Sequence, residues 1–192
     1  MNFICKLLLS ALLLFFAGCC GEKYCEGTDE KYMFFIPLDL DEGDVFELQN
    51  NYDEHLKLYV TERYSLEPYS YSSCCDCGGC YRDFSLILRD NKDSNKSTMS
   101  INYSLHPDTE TDIVTGNIVL NESSFKFEVH NNNDITTFSE PIIDEFQLGN
   151  MVYHDVMILK DDKSLYELYL AKDKGIIQIT KSNSDTIWTI KN

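Results

Sequence analysis

Basic side chains are scarce in this chain: 16 lysines and arginines stand against 32 aspartates and glutamates, a net charge of −16. So acidic a surface repels nucleic acid and anionic lipid headgroups, and neither is expected as a ligand. A cationic partner or a divalent metal is compatible with it, and so is a plain solubilising role. Also lacking is an apolar run of the roughly 17–25 residues that a spanning helix needs. The run Leu7–Phe16, broken only by Ser10, is too short, and nothing after it is longer. No segment beyond Cys19 holds a 3.6-residue period over three turns, which argues against a helical domain. Glycine-rich phosphate loops, a Gly-x-Ser-x-Gly turn and a His-x-x-x-His pair are all missing.

What is present begins with an unusual N-terminus. Met1–Lys6 carries one positive charge, and Leu7–Phe16 has the length of a secretory apolar region. The run ends in Phe16-Ala17-Gly18-Cys19, small residues before a cysteine. This segment resembles the lipobox of bacterial lipoprotein precursors, although Phe16 stands where leucine is commonest. The resemblance implies that residues 1–18 are a cleaved leader and that Cys19 is lipidated on sulfur and becomes the new N-terminus. Cys20 fits less well, because no bulky residue stands at the matching place before it. Each buried CH₂ of an acyl chain adds about 0.8 kcal/mol of membrane affinity, so several chains hold a domain where one would not. The expected setting is the cell envelope: membrane-anchored by lipid, periplasmic or surface-exposed.

Residues 1–18 hold one lysine and no acid, so the remaining chain carries 15 basic and 32 acidic side chains, a balance of −17. Residues 19–31 are polar and turn-rich and read as a lipidated tether. From Tyr32 to residue 192 the pattern has period two. Met99, Ile101, Tyr103 and Leu105 alternate with Ser100, Asn102, Ser104 and His106. Leu56-x-Leu58-x-Val60, Phe84-x-Leu86-x-Leu88 and Phe125-x-Phe127-x-Val129 repeat it. Such alternation marks strands with one buried face. Turn clusters separate them at Asp41–Asp44, Asp90–Ser97, His106–Thr109, Asn131–Asp134 and Asp161–Ser164. Met151–Leu159, Leu165–Leu170, Gly175–Lys181 and Thr186–Ile190 read as a closing antiparallel meander. The fold class is therefore all-β, with about ten strands in a single antiparallel β-sandwich or an open barrel-like sheet.

Phe35-Ile36-Pro37-Leu38, Leu168-Tyr169-Leu170-Ala171-Lys172-Asp173-Lys174-Gly175 and Ile187-Trp188-Thr189-Ile190 are similar to segments of small β-rich envelope lipoproteins. There a strand ends at a Lys-Gly turn and the last strand carries tryptophan. The similarity implies one antiparallel sheet, curled like a lipid-carrier half-barrel, and no particular chemistry.

The chain has eight cysteines. Cys5 leaves with the leader and Cys19 takes lipid, which leaves Cys20, Cys25, Cys74, Cys75, Cys77 and Cys80. Four of these lie in Cys74-Cys75-Asp76-Cys77-Gly78-Gly79-Cys80, within a stretch, 69–81, that reads as a cysteine-rich loop. An even number in an exported chain points first to disulfides. Cys77 and Cys80 can close on each other, and Cys74 and Cys75 would then reach Cys20 and Cys25. A second reading is a thiolate site for Zn or Cu, although it has one Cys-x-x-Cys knuckle where a tetrahedral site commonly has two. A third is thiol exchange through Cys77 and Cys80, disfavoured because Asp76 raises a neighbouring thiol pKa.

Asp39, Asp41, Glu42 and Asp44 around Gly43 suggest a calcium loop, but Gly43 falls one place early and a hairpin turn explains them better. His55, beside Asp53-Glu54, and His154, beside Asp155, invite dyads; His106 and His130 do not. With no nucleophile in reach, all four read as surface or turn residues. Asn95, Asn102 and Asn121 open glycosylation triplets that a bacterial leader makes fortuitous. The expected function is a non-enzymatic binding or structural module on a membrane, its protein or small-molecule partner open. The alternatives are metal handling by Cys74, Cys75, Cys77 and Cys80, and carriage of an apolar ligand in a curled sheet.

Overall fold

The computed structural model describes residues 40–65, 69–73, 76–91, 98–107, 112–132, 135–163, 165–172 and 174–191. The leader and tether expected at 1–18 and 19–31 lie outside them. Thirteen strands are described: β1 (Val45–Asn50), β2 (His55–Ser65), β3 (Tyr69–Ser73), β4 (Asp76–Arg89), β5 (Met99–Pro107), β6 (Asp112–Leu120) and β7 (Ser123–Asn132). β8 (Ile135–Phe138), β9 (Ile142–Leu148), β10 (Met151–Lys160), β11 (Tyr166–Ala171), β12 (Gly175–Lys181) and β13 (Ile187–Ile190) follow. No helix occurs among the described residues.

The alternation decides which side of each strand is buried. Met99, Ile101, Tyr103 and Leu105 are at most 6% exposed, while Ser100, Asn102 and Ser104 between them are half-buried. Each buried leucine or isoleucine contributes roughly 1.5–3 kcal/mol, so a one-residue slip of register would forfeit a whole row at once. Two of the turns are tight. Leu148 pairs with Met151 around Gly149-Asn150, and Gly149 has φ +59°, the left-handed backbone a two-residue hairpin favours. Leu120 pairs with Ser123 around Asn121-Glu122, and Asn121 takes φ +55°.

Twelve strands form one antiparallel sheet in the order β8-β7-β6-β5-β4-β2-β1-β13-β12-β11-β10-β9, and β3 pairs with β4 beside this path. The sandwich alternative thus gives way to a single, nearly closed barrel-like sheet. Its two chain ends meet inside it: Leu48, Gln49 and Asn50 of β1 pair with Ile190, Thr189 and Trp188 of β13. The gap falls between β8 and β9, which are neighbours in sequence. One backbone bond crosses the gap, from Asp162 N to Ser124 O at 3.1 Å, while Ile158 N to Pro141 O at 3.2 Å only extends the β9–β10 pairing. Lys163 Nζ adds a bond to Glu122 O at 3.1 Å. The β10–β11 turn is therefore tied to the start of β7.

The inward positions fuse into one core that draws on β1, β2, β4–β7 and β10–β12. An aromatic row runs through it: Phe84 and Tyr103 stand edge to face at 6.4 Å, Tyr103 and Phe127 at 5.4 Å. The concavity lined by Leu40, Phe46, Leu88, Met99, Ile101 and Ile176 leaves no space for a water molecule. A second cluster of Tyr153, Val156, Ala171 and Ile177 sits on the other side of β10–β12. Val156, Ala171 and Ile177 are each next in sequence to a residue of the main core, and successive strand residues face opposite ways.

Candidate functional site: a cysteine-bearing hairpin arm

The stretch expected as a loop at 69–81 is a hairpin in its described part. β4 is 14 residues long. Its second half is a barrel strand: Phe84–Arg89 pair with Ser65–Tyr59 of β2, and Arg82–Leu88 with Leu105–Met99 of β5. Asp76–Tyr81 run on past the barrel and, among the described residues, pair with β3 alone. Register places Tyr69 opposite Tyr81, Ser70 opposite Cys80, Ser72 opposite Cys77 and Ser73 opposite Asp76. Between the two inner pairs the register shifts, so that Gly78 and Gly79 together oppose Tyr71. That is a β-bulge, and glycine inside a strand commonly marks one. Cys77 and Cys80 therefore lie on the described backbone of the arm. Cys19, Cys20, Cys25, Cys74 and Cys75 lie outside the described residues.

The root of the arm is fastened to the barrel from both faces. Inside, Phe84 is buried in the aromatic row. Outside, the Ser104 hydroxyl donates to Asp83 Oδ1 at 2.6 Å and the Ser85 hydroxyl to Asn102 Oδ1 at 2.8 Å. Arg63, on the β2 side, places its guanidinium 5.9 Å from the Phe84 ring centre and pairs with Asp41. Its backbone N–H donates to Glu42 Oε1 at 3.2 Å. A further register shift between Val60 and Glu62 bends β2 just before the arm departs. Arg89, at the far end of β4 from the arm, pairs with Glu62 at 2.7 Å.

The acidic turn around Gly43 is accounted for by these contacts. Asp44 N donates to Asp41 O at 3.0 Å, and Gly43 takes φ +94°. It is a β-turn leading into β1 with Gly43 at the expected positive φ; Asp39 and the residues before it, where a first hairpin strand would run, lie outside the described residues. Among the described residues, no three His, Cys, Asp or Glu side chains gather where they could hold a metal ion.

The histidines sit on four different strands. His55 Nδ1 lies 2.6 Å from Glu47 Oε1, not against Asp53 or Glu54. His154 lies 4.0 Å from Glu145 across the β9–β10 pair, and His130 lies 3.2 Å from Glu128. Among the described residues, neither His55 nor His154 pairs with the acidic residue beside it in sequence. Glu47 gathers three basic side chains: His55, Lys191 at 3.1 Å and Lys57 at 3.9 Å. The His55 hydrogen bond, then that from Lys191, holds its carboxyl below the usual range. Sequence reading missed this cluster, because Glu47 and Lys191 come together only through the β1–β13 pairing.

Burial also acts on the Tyr103 hydroxyl and on the Asp161 carboxyl, with opposite net results. The Tyr103 hydroxyl, enclosed in the core, is pushed far up by desolvation. Asp161 is 4% exposed. Burial pulls its carboxyl up, but the Tyr166 backbone N–H, the Ser123 hydroxyl and the Leu165 and Lys163 backbone N–H groups outweigh this and hold it low. Asp161 thus acts as a clasp on the β10–β11 turn, at the side where the sheet nearly closes.

Ser70 and Ser72, the residues facing the two cysteines in register, were also missed. The signal was there: Tyr69-Ser70-Tyr71-Ser72 alternates with period two. No protein-family model, no curated protein and no solved structure matches this chain.

Proposed function

We infer that the chain is an exported lipoprotein, held on a membrane of the cell envelope through lipid on Cys19, whose β domain is a non-enzymatic binding or structural module. The reading is carried by Phe16-Ala17-Gly18-Cys19 at the end of a short apolar leader. The fold supports the second half of it. A sheet curled round a filled core is a rigid support, and it projects one hairpin past its rim with cysteines on it. A rigid element presenting a short variable segment is a common way for proteins to display a contact surface. The partner is a protein or a small molecule met outside the membrane; nucleic acid is disfavoured by the charge.

Carriage of an apolar ligand draws no support from the concavity lined by Leu40, Phe46, Leu88, Met99, Ile101 and Ile176, which leaves no space for water. The test is partition. The full chain, expressed in a bacterium, should sediment with membranes and incorporate labelled fatty acid. Cys19→Ala should lose the label and leave the membrane. A Cys19→Ala chain that stays membrane-bound would overturn the reading.

A further inference from the structure

The shifted register at Gly78-Gly79 changes what the Cys-x-x-Cys spacing means. On a regular strand, residues three apart occupy opposite faces and stand roughly 10 Å apart, at about 3.3 Å per residue. That exceeds the roughly 4.4–6.8 Å between Cα atoms that a disulfide spans. In this arm the partners of Cys77 and Cys80 are Ser72 and Ser70, which are only two residues apart on β3. Positions two apart share a face, and directly paired positions share it too. The bulge therefore brings positions 77 and 80 to one face of the ribbon. It also draws them to roughly the separation of Ser70 and Ser72, about 6.6 Å, inside the disulfide range.

We propose that Cys77 and Cys80 form a disulfide within β4, spanning the Gly78-Gly79 bulge and locking the shape of the hairpin arm. The modification is oxidation of a dithiol by a disulfide-bearing oxidant. The Cys77 thiolate attacks one sulfur of that oxidant and releases its other sulfur as a thiol. The Cys80 thiolate then attacks the mixed disulfide and releases the second thiol. The protein loses two thiol protons and two electrons; the oxidant's disulfide is reduced to two thiols. The ring so closed is very short, so the crosslink serves local shape more than the stability of the barrel. Cys74 and Cys75 are left for other partners. The proposal rests on the export reading above, since a disulfide persists in an oxidising compartment.

The sequence supplies a clean test. The full chain, with its own leader, is exported from a bacterium, quenched in acid, alkylated without reduction, and cut with trypsin and an Asp-specific protease. Cleavage after Arg82 and before Asp76 yields Asp76–Arg82, which contains Cys77 and Cys80 and no other cysteine. The expected peptide is two hydrogens lighter than its reduced form, unalkylated and joined to nothing else. Recovery of this peptide doubly alkylated, as thiols that held no bond or held only metal would give, overturns the proposal. So does its linkage to a peptide carrying Cys20, Cys25, Cys74 or Cys75. The N-terminal peptide of the same digest separates the two levels. An alkylated Asp76–Arg82 with a lipidated Cys19 sinks the bridge alone; an alkylated Asp76–Arg82 with an intact Met1 leader sinks both.

Discussion

Gly116 lies in mid-strand on β6, where glycine ordinarily costs about 0.5–1 kcal/mol relative to alanine. On propensity alone Gly116→Ala should stabilise the protein. The structure reverses the sign. A Cβ placed on Gly116 meets Cε1 and Cζ of Phe127 at 2.2 Å and Cδ1 at 2.9 Å. Phe127 is directly opposite in register and its ring lies across the glycine. The ring has nowhere to go: it is 2% exposed and stands edge to face with Tyr103. Overpacking of this kind costs about 1–3 kcal/mol, and the backbone gain returns part of it, for a net loss of about 1–2 kcal/mol. Urea unfolding followed by the fluorescence of the single tryptophan, Trp188, reads this as a lower midpoint at unchanged slope. Phe127→Leu should itself destabilise by about 1–2 kcal/mol, through lost apolar volume. In that background Gly116→Ala should be neutral or stabilising, since the ring that collides is gone. If Gly116→Ala raised the midpoint in the parent, or cost as much without the Phe127 ring, the packing argument would be wrong.

Other expectations rest on the closure and the core. Asp161→Asn should cost about 1–2 kcal/mol, because a buried charged acceptor loses its strongest hydrogen bonds. Its carboxyl is held below the ordinary value when folded, so its contribution is fully present above the unfolded pKa and is lost as pH falls through the folded one. Urea midpoints measured from pH 6 down to pH 3 should therefore fall less steeply in Asp161→Asn than in the parent, and an unchanged slope would count against the clasp. Leu168→Ala, at a fully buried position on β11, should cost about 2–5 kcal/mol and lower the melting temperature without altering the strand signature in circular dichroism.

Several features of the fold could be read before the structure, for identifiable reasons. The four closing strands were visible because their apolar positions alternate and polar turns punctuate them; β10 to β13 fall within a residue or so of the expected limits. β5 was legible from Met99 to Leu105 for the same reason. β6 was not, because Ile113 and Val119 put apolar side chains on its outer face as well. β8 and β9 escaped notice because edge strands need no second apolar partner, and β9 carries Asp144 and Glu145 in its middle. The single barrel-like sheet was hidden by distance along the chain. It depends on β1 meeting β13, a contact such as the Thr189 hydroxyl on Gln49 O that spans 140 residues.

The candidate site shows the same division. Composition singled out the cysteines, but their arrangement depends on which residues β3 and β4 pair. Two adjacent glycines suggest a loop when read alone; once Ser70 and Ser72 fix the register, they become a bulge in a strand. The acidic run at Asp41–Asp44 resolves in the same way, into a turn whose carboxylates meet Arg63.

The central claim is the lipid on Cys19, and the most direct test is the mass of the mature N-terminus. The chain would be extracted from membranes in detergent and its N-terminal fragment weighed before and after mild base, which cleaves ester-linked acyl chains. The account predicts a fragment that begins at Cys19 and carries a diacylglyceryl group, losing two acyl masses on base treatment. A fragment that begins at Met1, or at any residue other than Cys19, with no acyl mass, would contradict it.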